Sequence, residues 1–304
     1  MESARDRVTL EPVDAEDLWL LVEVDKHGYI CRGCDLTVYP ASYLKSNLQR
    51  PHFRTPRGQQ HLQGCDIEGE EKTVASGRKG SVRNELQTSP GLSPARLVLR
   101  NERPIVDPTA EPSPSGGTRT ARPGSSGNGE ARPQGRRSAQ SIRRICRAFI
   151  NFPYDRALSL EVPGVDVTTY QLVFKKLRGK GIEVMPSLRI FYGELSWGRA
   201  EANEDNLLIT LSAGEWGKEA NKYVRPYTVQ VSWAAWSKAK RTTVTTELDV
   251  VRQEGIDAKK SGSKDRPYVF FLGRQDEEDP SVFHVDDHRL ICGLLATITY
   301  PTND

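Results

Sequence analysis

A stretch with almost no large apolar residues divides this chain. Residues 106–137 contain five prolines, six glycines and four serines among 32 positions, and Val106 is the only large apolar residue there. A segment of this composition buries too little surface to offset the entropy lost on ordering, so it is typical of a flexible linker. Because the composition already changes near residue 67, we predict a linker over 67–137. It would join an N-terminal module, 8–66, to a C-terminal domain, 138–304.

Cysteine and histidine residues are concentrated in the N-terminal module. Cys31-Arg-Gly-Cys34 is a C-x-x-C pair, and the residues on both sides of it are typical of strands, so we expect it at the tip of a hairpin. His61-Leu-Gln-Gly-Cys65 follows as H-x-x-x-C, with its two side chains one helical turn apart. Thiolates and imidazoles are the ligands that zinc prefers. We therefore predict a zinc site made by these four residues, with His52 as the substitute for His61.

Two other interpretations of the cysteines are a redox pair and unrelated buried thiols. A thioredoxin-like pair is expected beside a βαβ pattern, which is missing here, and it leaves His61 and Cys65 unexplained. The chain has five cysteines, an odd number, which favours metal ligands over a set of disulfides in a reducing compartment. With four protein ligands the zinc site would be closed, and hence structural rather than catalytic.

The segment YICRGCDLTVYPAS, followed by RPHFR, resembles the N-terminal zinc module of competence protein CoiA-like bacterial proteins. That family pairs a C-x-x-C hairpin with a downstream His-Phe dipeptide, here His52-Phe53. The resemblance covers residues 29–66 only, and it departs from the family where His-Phe-x-His is expected, because position 55 is Thr. It implies a bacterial protein that handles DNA, of a mobile-element or defence type. The family's nuclease-type domain has no match in the rest of this chain, so nuclease activity is not carried over.

The C-terminal domain begins with helical patterns and continues with strand patterns. Ile142, Ile145 and Phe149 have helical spacing, and a second helix is predicted from Asp166, its N-cap, to Gly179 or Gly181. Six later segments are rich in β-branched and aromatic residues. Because no βαβ alternation is present, we predict an α+β fold with an antiparallel sheet or OB-like barrel. The six segments are PSLRIFYGEL, NLLITLS, RPYTVQVSWAAW, RTTVTTELDVV, RPYVFFLG and HRLICGLLATITY.

Basic residues are concentrated where the linker meets the C-terminal domain. Eight arginines lie between Arg119 and Arg147, against one acid, Glu130. An arginine-rich arm that leads into a helix with a basic face can follow a phosphate backbone. The alternative is a solvated linker beside ordinary helix surfaces. The candidate nucleic-acid-binding residues are Arg136, Arg137, Arg143, Arg144, Arg147, Lys175 and Lys176.

Two further sets of residues would suit a metal-dependent nuclease. In the first, His, Asp and His alternate and would share one face of a strand, unless a turn interrupts them. The second loosely echoes the nuclease pattern of an acid followed by Asp/Glu-x-Lys, although it is close to a segment typical of a loop. The two sets are His284, Asp286 and His288, and Asp249, Asp257 and Lys259.

The sequence thus favours a nucleic-acid-associated zinc protein that binds DNA, or less readily RNA, without catalysis. A metal-dependent nuclease and a protein-interaction adaptor are the alternatives. No run approaches the roughly 18 apolar residues of a membrane helix, and the N-terminus lacks the apolar core of a signal peptide. We therefore expect a cytoplasmic protein without a membrane partner. The formal net charge of +3 is too small to argue for nucleic acid, so the local clusters carry that argument.

Overall fold

The computed structural model describes residues 1–99 and 138–301, apart from positions 45, 46, 48, 64, 66, 68 and 90. Its fold is α+β and rich in sheet, which confirms the predicted fold class. The most linker-like part of the chain, 106–137, lies outside the described residues, and Arg136 and Arg137 lie there too.

The N-terminal module is a small antiparallel sheet that begins at residue 3, earlier than predicted. A 3-10 helix, Ala15–Leu20, follows the second strand and packs its Leu18 into the core of the module. The sheet order is β2-β1-β3-β4-β5. These strands are β1 (Ser3–Asp6), β2 (Pro12–Asp14), β3 (Tyr29–Ile30), β4 (Thr37–Ala41) and β5 (His52–Arg54).

The first part of the predicted linker is folded. It contains α1 (Glu70–Gly77), α2 (Arg83–Thr88) and β6 (Arg96–Leu97), and β6 pairs in parallel with β7 (Ser138–Ala139). The described residues of 70–99 therefore pack with the C-terminal domain. The composition did not reveal this because the few apolar side chains of the segment are spread along it, and four of them are buried in one core. These buried side chains are Val82, Leu86, Leu92 and Leu97.

The helices that open the C-terminal domain differ in length from the prediction. The first, α3 (Ile142–Asn151), is confirmed, and its apolar face is buried. The second, α4 (Tyr170–Val173), is a single turn, and the chain continues as strand β8 (Phe174–Lys176). The predicted helix to Gly179 is wrong because β8 pairs in parallel with a neighbouring strand that starts at Arg189, and this tertiary pairing overrides the local helical pattern.

The main sheet of the domain has eight strands in the order β10-β11-β12-β14-β13-β9-β8, with β15 paired to β13. An isolated bridge between Leu195 and Leu211 joins the end of β9 to β11, so the strand path returns towards its start, as in a small barrel. Five of the six predicted strands are confirmed. The strands are β9 (Arg189–Glu194), β10 (Glu201–Ala202), β11 (Asn206–Gly217), β12 (Lys222–Ser232), β13 (Arg266–Gln275), β14 (Val282–Val285) and β15 (Ile291–Ala296).

The segment RTTVTTELDVV, predicted as a strand, lies in a long helix, α5 (Lys238–Lys260). Ser237 caps its N-terminus by accepting a hydrogen bond from the Lys240 amide at 3.4 Å. The run of threonines favours a strand locally, but in the helix their hydroxyls bond to carbonyls one turn earlier, as Thr243 does to Ala239 at 3.0 Å. The apolar side chains recur at helical spacing and pack on the sheet. They are Val244, Leu248 and Val251.

The N-terminal module is docked onto the C-terminal domain by buried charges. Glu16, in the 3-10 helix, is fully buried, and its carboxylate pairs with Arg147 of α3. Arg143 and Arg50 also lie close, at 3.9 and 3.6 Å from its oxygens. Burial on its own raises the pKa of Glu16, but Arg147, Arg143 and Arg50 outweigh it and lower that pKa to about 2. Glu16 is therefore a carboxylate in the folded protein at neutral pH.

Two further ion pairs complete this interface. Arg50 of the module binds Glu254 of α5, with Nε 2.9 Å from Oε1, and its Nη2 donates to the Gly293 carbonyl at 2.8 Å. Arg143 holds Glu247 of α5 through two hydrogen bonds of 3.1 and 2.7 Å. The module and the domain thus share one charge network, so a linker between them does not make them independent.

Candidate functional site

The hairpin of β3 and β4 presents the first two cysteines. The Cys31 amide donates to the Leu36 carbonyl at 2.7 Å, which closes the loop between the strands. Inside that loop the Gly33 amide points at Cys31 Sγ, 3.4 Å away. The guanidinium of Arg5, on β1, also holds this loop, because it donates to the carbonyls of Cys31 and Cys34 at 3.2 and 3.3 Å. The C-x-x-C pair thus lies at the tip of a hairpin, as predicted, with a backbone donor directed at the first sulfur.

His61 and Cys65 complete the cluster. Cys31 Sγ lies 3.5 Å from Cys65 Sγ, and His61 Nδ1 lies 3.5 Å from Cys34 Sγ and 3.7 Å from Cys65 Sγ. All four ligand atoms lie within 4.8 Å of one another, so these residues can hold a metal ion. In a tetrahedral zinc site with bonds of about 2.3 Å, two sulfur ligands stand about 3.8 Å apart. The spacing fits such an ion and is too long for a disulfide, whose sulfurs are about 2 Å apart.

His52, the substitute ligand, lies apart from the cluster. It is on β5, where its Nδ1 is 3.2 Å from the Arg50 carbonyl oxygen and its Nε2 accepts from Arg54 at 2.8 Å. Both ring nitrogens of His52 therefore have partners in β5 or just before it. The histidine that joins the three cysteines is His61, as the spacing predicted.

The thiols of the cluster differ in acidity. Burial on its own raises the pKa of Cys34, but hydrogen bonds from the Leu62 and Leu36 amides and from His61 outweigh it and lower that pKa to about 6. Burial dominates at Cys31, where the pKa rises to about 12. A bound metal ion would be needed to keep the Cys31 thiol deprotonated at neutral pH. A tetrahedral metal ion held by all four residues would have no open position for a substrate, as in structural metal sites.

The two nuclease alternatives are not assembled. Among the residues that the structure describes, the cysteine–histidine cluster is the one gathered group of three or more potential ligands. His284 of β14 instead pairs with Asp276, at 2.8 Å, and His288 packs against the Trp236 ring. β14 ends at Val285 and a 3-10 helix begins at His288, so His284 and His288 do not share one strand face. The backbone carbonyl of Asp286 accepts a hydrogen bond from the Trp236 indole.

Asp249, Asp257 and Lys259 lie on α5, which ends at Lys260 just before a loop. Asp249 pairs with Arg252 at 2.6 Å, while Lys259 lies over the Trp197 ring at 5.2 Å. Asp257 accepts from Gln253 one turn earlier, at 3.0 Å. These contacts are those of a helix surface, and the acids do not converge on a common point.

Three of the candidate nucleic-acid-binding arginines lie inside the protein. Arg143 and Arg147 belong to the charge network of the interface, and Arg144 donates to the Gly91 carbonyl at 2.9 Å. Their side chains are only 5 to 11% exposed. The prediction of a basic helix face towards solvent is therefore wrong for these residues, because carboxylates and carbonyls far away in the sequence take up their charges.

Lys175 and Lys176, the remaining candidates, line a cavity of about 490 Å³. They lie on β8, the edge strand of the main sheet, and Arg178 follows them. Arg156 joins them from the segment after α3, so four cations face one space. Within the described part of the chain, no acidic residue lines this cavity. The other lining residues are Phe149, Pro153, Tyr154, Ala157, Gln171, Phe174, Tyr192, Tyr300 and Pro301.

The least exposed cation of the cavity, Arg156, was not identified from the sequence. It is 7% exposed, its Nε donates to the Phe149 carbonyl at 3.0 Å, and its Nη1 donates to the Thr299 carbonyl at 2.8 Å. Its Nη2 has no hydrogen-bond partner among the described residues. Burial lowers the pKa of Arg156 to about 10, so the group stays charged at neutral pH. In the sequence Arg156 is a single arginine in FPYDRAL, and nothing there indicates a buried cation without a carboxylate partner among the described residues.

Two tyrosines at the cavity are accessible from solvent. Tyr154 is 44% exposed and Tyr300 is 53% exposed, although both are large side chains that a core would ordinarily bury. The Tyr300 ring lies over the Arg156 guanidinium at 5.3 Å, and its hydroxyl contacts that of Tyr192. By contrast, Phe191 and Tyr192 of β9 are buried, as is Trp233, which follows β12. The exposed aromatic surface beside the cations is therefore outside the barrel core.

None of the helices in the described ranges combines the length and the apolar character needed to cross a membrane. A comparison of the chain with models of protein families, with curated proteins and with solved structures gives no match in any of the three.

Proposed function

We propose that this protein binds single-stranded nucleic acid without cleaving it, and that the cationic cavity is the contact surface. The observation that carries the proposal is the gathering of Arg156, Lys175, Lys176 and Arg178 around a space with no acidic lining residue among those described. Lys175 also pairs with Glu183 at 3.4 Å, but both side chains are about half exposed, so a phosphate can compete for the lysine. Clusters of cations attract phosphates and release the ions condensed on them.

The exposed tyrosines support a nucleic-acid ligand over a simple anion. Aromatic rings beside a cationic groove stack on bases, each worth about 1–3 kcal/mol, whatever the base. Tyr154 and Tyr300 are accessible and border the same space as the cations. A cavity of about 490 Å³ admits a base and its phosphate but not a duplex. Because the CoiA-like resemblance implies DNA, single-stranded DNA is the first ligand to try.

The metal site has a supporting role in this proposal. Three thiolates and one imidazole at tetrahedral spacing suit zinc better than the hard cations Mg²⁺ and Ca²⁺, which take oxygen ligands. Zinc bound there would hold the hairpin loop at Cys31 and Cys34 against the segment that carries His61 and Cys65. Through Glu16 and Arg50 the module in turn braces α3 and α5. We therefore assign zinc a structural function.

The proposal is tested by removing two cations from the cavity. In the zinc-loaded full chain, Lys175→Ala/Lys176→Ala should weaken binding of a fluorescent single-stranded DNA by about tenfold, if each exposed phosphate contact is worth roughly 0.7 kcal/mol. The matched control is Lys218→Ala/Lys264→Ala, which removes the same charge from exposed positions that do not line the cavity. Equal loss in both variants, or no binding by the wild type, would contradict the proposal.

A further inference from the structure

The buried arginine of the cavity has unused hydrogen-bonding capacity. The guanidinium of Arg156 carries five N–H donors in a planar fork, and it uses Nε and Nη1 on the carbonyls of Phe149 and Thr299. Its Nη2 is buried without a partner among the described residues, and no carboxylate in that part of the chain pairs with the group. Leaving such a donor unsatisfied costs free energy that a bound anion would recover.

The depth of the cations differs across the cavity. Arg156 is almost wholly buried, whereas the Lys175 side chain is 47% exposed and Arg178 is exposed. The guanidinium also lies 3.8 Å above the Phe149 ring, on the wall formed by α3. Arg156 therefore belongs to the inner wall and the other cations to the mouth. An internal nucleotide would need two open routes for its strand, while a strand end needs one.

The number of charges also distinguishes a terminal phosphate from an internal one. A phosphodiester carries one negative charge, whereas a phosphomonoester carries about −1.5 to −2 at neutral pH and offers three acceptor oxygens. Four cations with no acidic lining residue in the described chain match the monoester better. Arginine is the side chain best shaped to bind such a group through two parallel hydrogen bonds.

We propose that the cavity receives a terminal phosphomonoester, with Arg156 as its inner anchor and Lys175, Lys176 and Arg178 at its mouth. This inference rests on the proposed function and names the part of the strand that the site takes. The half-exposed Tyr300 ring lies beside the guanidinium and is placed to stack on the terminal base. A strand end and a free mononucleotide both carry this group.

The test compares the same single-stranded DNA with a 5′-phosphate, a 3′-phosphate or two hydroxyl ends, on the zinc-loaded full chain. One phosphorylated end should bind about tenfold more tightly than the hydroxyl form, the fold-change expected for one charge-assisted contact. Equal binding of all three DNAs would overturn the inference and leave the proposed function standing. Absence of binding by any of them would overturn both.

A competition arm identifies the source of the phosphate. A deoxynucleoside 5′-monophosphate is added to the complex with the phosphorylated DNA, and a nucleoside without phosphate serves as its control. Displacement at concentrations near those of the DNA itself supports a free nucleotide as ligand. Displacement only at far higher concentrations supports a strand end. Equal displacement by nucleotide and nucleoside would overturn the inference, because the phosphate would then contribute nothing.

Arg156→Lys separates anchoring from a purely structural role. The variant keeps the charge but loses the fork, so the preference for the phosphorylated end should fall to about twofold or less. If Arg156 only joined two carbonyls, all three DNAs would weaken alike and the preference would persist, which would overturn the inference. Should this variant misfold, the exposed Arg178→Gln gives the same decision, because it should reduce the preference. Arg199→Gln, an exposed arginine outside the cavity, should leave the preference unchanged.

Discussion

Arg50 in the N-terminal module binds Glu254 on α5, 204 positions later in the chain, through hydrogen bonds of 2.9, 3.1 and 3.0 Å. The pair is part of a network in which three arginines and three glutamates meet between the module, α3 and α5. Ion pairs of this kind fix how the module is oriented on the domain, because the planar guanidinium of an arginine fits a carboxylate in few geometries.

The first prediction concerns the ion pair of Arg50 and Glu254. Arg50→Ala leaves Glu254 without its partner and reduces the positive charge around buried Glu16, so the variant should lose about 3 kcal/mol of unfolding free energy. Chemical denaturation followed by tryptophan fluorescence measures this loss. Arg225→Ala is the control, since its pair with Asp279 is about half exposed on both sides and should be worth less than about 1 kcal/mol. Equal losses in the two variants would contradict the role of Arg50 in docking.

The second prediction is a pH dependence that originates at Glu16. Its folded-state pKa of about 2 lies below the ordinary value of 4.5, so the folded protein binds fewer protons there than the unfolded chain. The resulting stability is complete above pH 4.5 and is lost as the pH falls towards 2. Wild type should therefore exceed Glu16→Gln by about 3 kcal/mol at neutral pH, and the difference should shrink in acid.

The measurement for Glu16 is the denaturant midpoint of both proteins at several pH values. Acid also releases the metal, but it does so in wild type and variant alike, so the difference between them isolates Glu16. The exposed Glu219→Gln serves as control and should show no pH-dependent difference from wild type. A Glu16→Gln difference that stays constant down to the lowest pH would refute the assignment of a depressed pKa.

The third prediction is that removal of the metal also affects helices of the C-terminal domain. Without its metal, the loop from Cys31 to Cys65 loses its main constraint and the module should unfold. Because Glu16 and Arg50 then leave Arg143, Glu247 and the rest of the network, amide hydrogen exchange should accelerate in α3 and α5 as well. Val229 and Phe283 lie in the core of the sheet, outside the charge network, and their amides should stay protected.

Hydrogen exchange before and after chelation is the direct readout. A double substitution, Cys31→Ser/Cys34→Ser, should reproduce the effect of the chelator, whereas Cys146→Ser, at a buried cysteine outside the cluster, should not change metal content. Faster exchange confined to the module would show that the linker uncouples the two parts, contrary to the docked arrangement.

Features of the site that depend on nearby residues could be predicted from the sequence. The ligands Cys31 and Cys34 are held by one hairpin, and His61 and Cys65 are four positions apart, so spacing alone brings each pair together. The strands were also readable where alternation was clear, as in β12, because one face of it is buried. The fold class followed from these local patterns.

Features that depend on distant partners could not be predicted. Arg143 has the sequence appearance of a solvated helix residue, but its partner Glu247 lies 104 positions away and buries it. The strand propensity of the threonines in α5 is overridden by packing of Val244, Leu248 and Val251 on the sheet. Arg156 is proposed as an anion anchor because no carboxylate of the described residues pairs with it, and no sequence pattern encodes the absence of such a partner.

The salt dependence of single-stranded DNA binding tests the central claim most directly. If the cations of the cavity hold phosphate, a plot of log affinity against log salt concentration should have a slope of about −0.7 for each phosphate held, and Lys175→Ala/Lys176→Ala should make the slope shallower. Lys218→Ala/Lys264→Ala should leave it near the wild-type slope. An affinity that does not depend on salt, or a slope that the cavity variant does not change, would contradict binding at the cationic cavity.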